Sequence, residues 1–220
     1  MRRAISHLRN SEGLPPRVAR PEAVLVLGLV AVLLLVSACS GIKTSYQNYR
    51  RARQGDYFEA VQRYSAYGSV YRGFETVLLV HGTYRSAAFR EAYAAKYAAD
   101  HRLGDADRRR LVEEETAAAR KEFEFILAAY APEKDTILLH SPRSLWTIYL
   151  EDDTGRRLSP NDVRGLERDR LRLEEYFPYI TPWQELYRVR FPADPAFGGN
   201  RIHLVLTGVL GSTSLTFPLR

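Results

Sequence analysis

Residues 145–160 read LWTIYLEDDTGRRLSP. Trp146, Ile148 and Leu150 alternate with Thr147, Tyr149 and Glu151, the two-residue period of a strand with one buried face. Asp153-Thr154-Gly155 supplies turn residues, and a return strand is expected from about Arg157. The same period recurs downstream. Tyr187, Val189 and Phe191 alternate with Arg188 and Arg190, and Ile202, Leu204 and Leu206 alternate with His203, Val205 and Thr207. Gly208 and Gly211 bracket a turn into Thr213, Leu215 and Phe217.

Upstream, residues 136–140 form a short apolar segment that reads as a further strand. Phe74, Thr76, Leu78, Val80 and Tyr84 point opposite to Val77, Leu79, His81 and Thr83; both sets are largely apolar, so this strand is expected to be covered on both faces. The Tyr- and Ser-rich stretch from about Arg63 to Tyr71 pairs with it across the Arg72-Gly73 turn. Roughly seven or eight short strands separated by turns predict a mainly β fold, an antiparallel β-sandwich of immunoglobulin-like architecture. The chain has a single cysteine, so the immunoglobulin disulfide is absent. Trp146, Ile148, Leu150, Val189, Leu204, Leu206 and Leu215 are the expected core.

Between these strands the period changes. Ser86 is a good N-cap for a helix from Ala87 to about Ala99, with Phe89, Tyr93 and Tyr97 recurring at every fourth residue. Gly104 ends it, and Asp105 starts a second helix expected to run to about Tyr130, where Pro132 stops it. Val112, Ala119, Phe123, Ile126 and Tyr130 make its apolar face. The sandwich is therefore expected to carry a two-helix hairpin over about 87–130, inside a single domain spanning 57–220.

The N-terminus is organised differently. Arg2, Arg3, Arg9, Arg17 and Arg20 precede an uncharged run, AVLVLGLVAVLLLVSA, from Ala23 to Ala38. The run is shorter than the ~18 or more apolar residues of a spanning helix and ends in Val36-Ser37-Ala38-Cys39. This segment resembles the lipobox signal peptide of bacterial lipoproteins: a branched apolar residue, two small residues, and the chain's only cysteine where the pattern requires it. The resemblance implies that residues 1–38 are cleaved, that Cys39 takes a diacylglycerol on its thiol, and that residues 39–56 form the lipidated N-terminus and tether. Ser40 after the cysteine implies release to the outer membrane, with the domain facing the periplasm.

Residues from 70 to 217 loosely resemble uncharacterised envelope lipoproteins that share a WxIYLE strand, a glycine turn and an aromatic–Pro–Tyr segment, here Trp146 to Glu151, Gly155, and Phe177-Pro178-Tyr179. That likeness implies no catalytic residue and no ligand.

The formal charge of +6 gives little support to a nucleic-acid partner, because residues 1–38 carry five arginines and two glutamates and so supply half of it. Lys43, Arg50, Arg51 and Arg53 lie just after the cysteine, where they either meet anionic head groups or serve as a solvated linker. The expected partners are the membrane, through the lipid on Cys39, and another envelope protein.

The chemistry-bearing residues are sparse. Val80-His81-Gly82-Thr83 has the look of an oxyanion-hole strand end, but no G-x-S-x-G elbow accompanies it. His81, His140 and His203 fall on expected strands and would suffice for a metal if they converged, although no short ligand spacing supports this. Asp152-Asp153 and Glu174-Glu175 read as solvated acids. Tyr176, Phe177, Tyr179 and Trp183 cluster around two prolines, either to plug one end of the sandwich or to line a ligand surface. The expectation is a non-catalytic binding or scaffolding role with no cofactor; the alternative is a periplasmic hydrolase or metal-binding enzyme built on His81 and the other strand histidines.

Overall fold

Gly73 adopts φ 61°, the left-handed conformation of a tight hairpin turn, and reverses the chain between β1 (Ser65–Arg72) and β2 (Glu75–Tyr84). The computed structural model describes residues 56–219. The expected lipidation site Cys39, its lipobox Val36, Ser37 and Ala38, and Lys43, Arg50, Arg51 and Arg53 lie outside the described residues. No helix among the described residues is long and apolar enough to cross a membrane.

The fold is mainly β. A helix, α1 (Asp56–Tyr64), precedes β1 and buries Tyr57, Val61 and Tyr64, spaced for one helical face. β1 and β2 join β3 (Glu122–Tyr130), β7 (Glu185–Pro192) and β6 (Asp162–Gly165) in a five-stranded sheet of order β1-β2-β3-β7-β6. A second sheet, of order β5-β4-β8-β9, contains β4 (Trp146–Asp152), β5 (Arg157–Leu158), β8 (Arg201–Gly208) and β9 (Gly211–Pro218). Every pairing is antiparallel.

One hydrophobic cluster draws on both sheets. Trp146, Ile148, Leu150, Val189, Leu204, Leu206 and Leu215 are all buried in it, as their alternation predicts. Leu78, Val80 and Tyr84 point inward from β2, while Val77, Leu79, His81 and Thr83 take its outer face. At Gly82 a Cβ would come within 2.8 Å of Leu127 Cδ2 and 2.9 Å of Leu215 Cδ2. The glycine of the His81-Gly82 pair is therefore explained by packing between the sheets.

Two sequence expectations are corrected. The helix from Asp105 does not reach Tyr130. α2 (Ala87–Asp100) and α3 (Asp105–Lys121) pack on one another, but the chain becomes β3 at Glu122. After Glu124 the strand reads FILAAY, apolar on both faces, and such a run reads the same as a buried helix or a doubly covered strand. No glycine or proline marks the switch. None of the residues of α3 is fully buried: Val112 and Ala119 of the expected stripe lie on it half-buried, while Phe123, Ile126 and Tyr130 belong to β3.

The segment at 136–140 is not a strand. Residues Lys134–Ile137 form a 3-10 turn, and His140 follows it in a loop. The carbonyls here are taken by side chains: Trp146 Nε1–H donates to Thr136 O at 2.9 Å and Tyr187 O–H to Ile137 O at 2.6 Å.

Candidate functional site

The outer face of the five-stranded sheet is treated differently at its two ends. At one end α2 and α3 cover it. Arg85 leaves the end of β2, Arg90 comes from α2, Glu115 from α3, Glu124 from β3 and Arg190 from β7. Arg85 pairs with Glu124 and Glu115, both at 2.7 Å, Arg90 with Glu115 at 2.7 Å, and Arg190 with Glu124 at 2.7 Å and Glu122 at 3.0 Å. Glu124 is 1% exposed. Burial alone would raise its carboxyl, but the guanidinium groups of Arg85, Arg90 and Arg190 outweigh this and hold it below the ordinary range.

Beneath α4 (Arg170–Tyr176) a cavity of about 130 Å³ continues this seam, with Arg172 and Arg188 among its lining. Arg172 pairs with Asp169 at 3.1 Å and Arg188 with Asp162 at 3.3 Å. Three arginines and three glutamates make up the covered seam, a balanced set that ties the helices to the sheet. This is what buried charges require.

At the other end the face is open and almost uncharged. Tyr67 on β1 stands directly across from His81 on β2, with ring centroids 4.7 Å apart. The His81 ring also stacks on Tyr179 at 5.4 Å and 17°. Tyr179 is pinned from behind: its hydroxyl lies 2.8 Å from Thr83 Oγ1, which in turn lies 2.6 Å from Ser65 Oγ.

The chain then runs through Ile180, Thr181 and Pro182 to Trp183. This loop is braced. Thr181 N–H donates to Gln184 Oε1 at 2.7 Å, and Arg170 donates to the carbonyls of Thr181 and Gln184. Trp183, at its tip, is nevertheless 73% exposed. Leu79, His81, Tyr130, Thr181, Trp183 and Gln184 line a groove of about 430 Å³.

Nδ1 of His81 is buried with no hydrogen-bond partner. A buried N–H left unpaired costs ~1–3 kcal/mol, so the neutral ring places its proton on Nε2. Burial lowers the imidazole pKa, which keeps the ring neutral at pH 7. A general base of the serine-hydrolase kind needs a hydroxyl on one nitrogen and an orienting acceptor on the other. The Ser65–Thr83–Tyr179 hydroxyls are bonded among themselves and not to Nδ1.

The three strand histidines do not converge. His81 lies on the outer face of one sheet; His203 lies on the outward side of β8 in the other, 3.0 Å from Thr216 Oγ1; His140 is in the loop beside Tyr187. Among the described residues no group of three or more His, Cys, Asp or Glu is placed to hold a metal ion.

Two other site expectations resolve. The aromatic cluster divides: Tyr176 and Phe177 are buried against α1 and α2, while Trp183 faces out. Asp152 is not solvated. It is 2% exposed, with Oδ1 accepting from Thr154 and Arg156 and Oδ2 from Gly198 N–H. Burial would raise this carboxyl, yet those bonds bring it down to about 2. Nothing in the local pattern marks the buried seam except that Glu124 lies between two phenylalanines in EFEF.

No family model matches the chain, and no curated protein matches it. One solved structure that it resembles is the crystal structure of a novel protein of unknown function from Burkholderia pseudomallei. The two are 13% identical, the match covers 80% of this chain and 89% of the other, and the TM-score is 0.40.

Proposed function

We propose that the protein is an envelope lipoprotein whose domain binds another envelope component through the His81–Trp183 groove, without catalysis. The observation that carries the binding role is Trp183, an exposed indole on a loop braced by Arg170 and Gln184 beside a groove. Exposed tryptophans at braced positions favour recognition, because a large rigid ring supplies contact area at low entropic cost. The unpaired Nδ1 of His81 speaks against a hydrolase, since it leaves the imidazole without an orienting acceptor. In this reading the two sheets form an immunoglobulin-like sandwich and α2 and α3 form its helical hairpin.

The anchoring part rests on residues 1–39 alone: the apolar run, the small residues Ser37 and Ala38, and the lone Cys39. Residues 1–38 are removed, the lipid on Cys39 holds the protein in the outer membrane, and the domain faces the periplasm.

Mass spectrometry of the membrane fraction is expected to find diacylated Cys39 as the first residue, and Cys39→Ser is expected to release the protein from the membrane. An intact Met1 terminus, or membrane attachment unchanged in Cys39→Ser, refutes the anchor. Photocrosslinking on intact cells tests the groove: a crosslinked species is expected with a probe at Thr181 and is lost in Trp183→Ala. Labelling unaffected by Trp183→Ala refutes the binding role.

A further inference from the structure

Resting on the reading of this groove as a binding surface, we infer that its ligand is a neutral oligosaccharide, with a pyranose ring stacked on Trp183. The lining is the first ground. In a chain of 26% charged residues, Leu79, His81, Tyr130, Thr181, Trp183 and Gln184 present no charged side chain. Charged ligands such as phosphates, carboxylates or nucleic acid find no counter-ion among these six. The second ground is the mixture of surfaces. An indole face, a tyrosine ring and a leucine suit the apolar C–H face of a pyranose. His81 Nε2 and the Gln184 amide N–H suit the ring of hydroxyls around its edge, and the Thr181 hydroxyl, which donates its proton to Gln184 Oε1 at 3.1 Å, remains as an acceptor. A purely apolar occupant would leave those polar groups without partners.

The third ground is topology. Leu79 and His81 lie on β2 and Tyr130 on β3, both interior strands, and Leu79 is paired directly with Tyr130. Their backbone groups are spent within the sheet, so an extended peptide finds no free edge there and could not add as a strand. The groove, about 430 Å³, falls in the ~300–1,000 Å³ range of small-molecule sites. It is matched to a few sugar units and not to a protein interface.

Isothermal titration of the full chain, purified in a detergent without sugar head groups, tests this with chitotriose, cellotriose and maltotriose as probes. At least one is expected to bind. Trp183→Ala is expected to weaken that binding about tenfold or more, as removal of a central aromatic contact does. Trp183→Phe retains most of it, and Phe74→Ala, a substitution at a fully exposed site on the β1–β2 turn, leaves it unchanged. Binding of none of the three, or binding that survives Trp183→Ala, overturns the saccharide assignment. The crosslinking experiment separates the two levels: crosslinks that depend on Trp183 without any sugar binding mean that the groove holds a non-saccharide partner, most simply a protein. Loss of both means that the groove is not a binding surface.

Discussion

The covered and open ends of one sheet face solve opposite problems. Under α2 and α3, every charge brought out of water meets a partner of the other sign, and Glu124 alone serves three arginines. Around His81 the side chains are aromatic or neutral, and a histidine nitrogen is left without any partner. Covered charges demand counter-charges, and even so Arg85 Nε, Arg90 Nη2 and Arg188 Nε are left without a hydrogen-bond partner in and beside the seam. The difference is one of charge: a paired ionic seam at one end and a neutral aromatic surface at the other, both on the outer face of the same five strands.

The largest effect is expected where neither end is involved. Trp146 is 4% exposed between the sheets, and its indole N–H is bonded to Thr136 O. Trp146→Ala should cost about 3–5 kcal/mol in chemical denaturation. A loss under ~1 kcal/mol would mean that the sheets do not close over it.

Glu124→Gln sharpens the contrast next. The amide keeps the shape and loses the charge, leaving Arg85 and Arg90 underpaired in a dry site. A loss of about 2–3 kcal/mol is expected at neutral pH. The same measurement on Glu114, exposed on α3, should show almost none.

A third test uses acid. The folded pKa values of Glu124 and Asp152 are both depressed, so each contributes stability that is present above its unfolded pKa and lost as pH falls through the folded one. For Asp152 that window runs from its ordinary 3.8 down to about 2. The thermal midpoint of the wild type should fall across it. Asp152→Asn should start lower at pH 7 and lose less on acidification. Parallel curves for the two proteins would contradict the bonding assigned to Asp152.

The smallest effect belongs to the open end. Trp183→Ala should alter folding stability by no more than ~0.5 kcal/mol, because the indole buries little on folding. A larger loss would show that Trp183 belongs to the structural end of the comparison.

The residues legible from sequence were those on half-buried strands. Trp146 to Leu150, Tyr187 to Phe191 and Ile202 to Leu206 each announce an inner and an outer face by alternation, and each lies as read. β3 was not legible: only EFEF alternates, FILAAY is apolar on both sides, and the strand follows a helix without a break. His140 was misplaced with its segment, because Thr136 and Ile137 hand their carbonyls to Trp146 and Tyr187, which are distant in sequence. The groove was half legible. The aromatic cluster around Pro178 and Pro182 stood out. Its division into buried Tyr176 and Phe177 and exposed Trp183 depends on contacts with α1 and α2, which no local pattern encodes.

The contrast between the two tryptophans has an optical consequence. The chain contains only Trp146 and Trp183, one sealed between sheets and one standing in water. Indole emission shifts to longer wavelength as its surroundings become more polar, so the native spectrum is the sum of a blue and a red component. Denaturation moves the blue one, a molecule settling on the indole moves the red one, and an added quencher reaches Trp183 first. The protein thus carries separate built-in signals for its fold and for its surface.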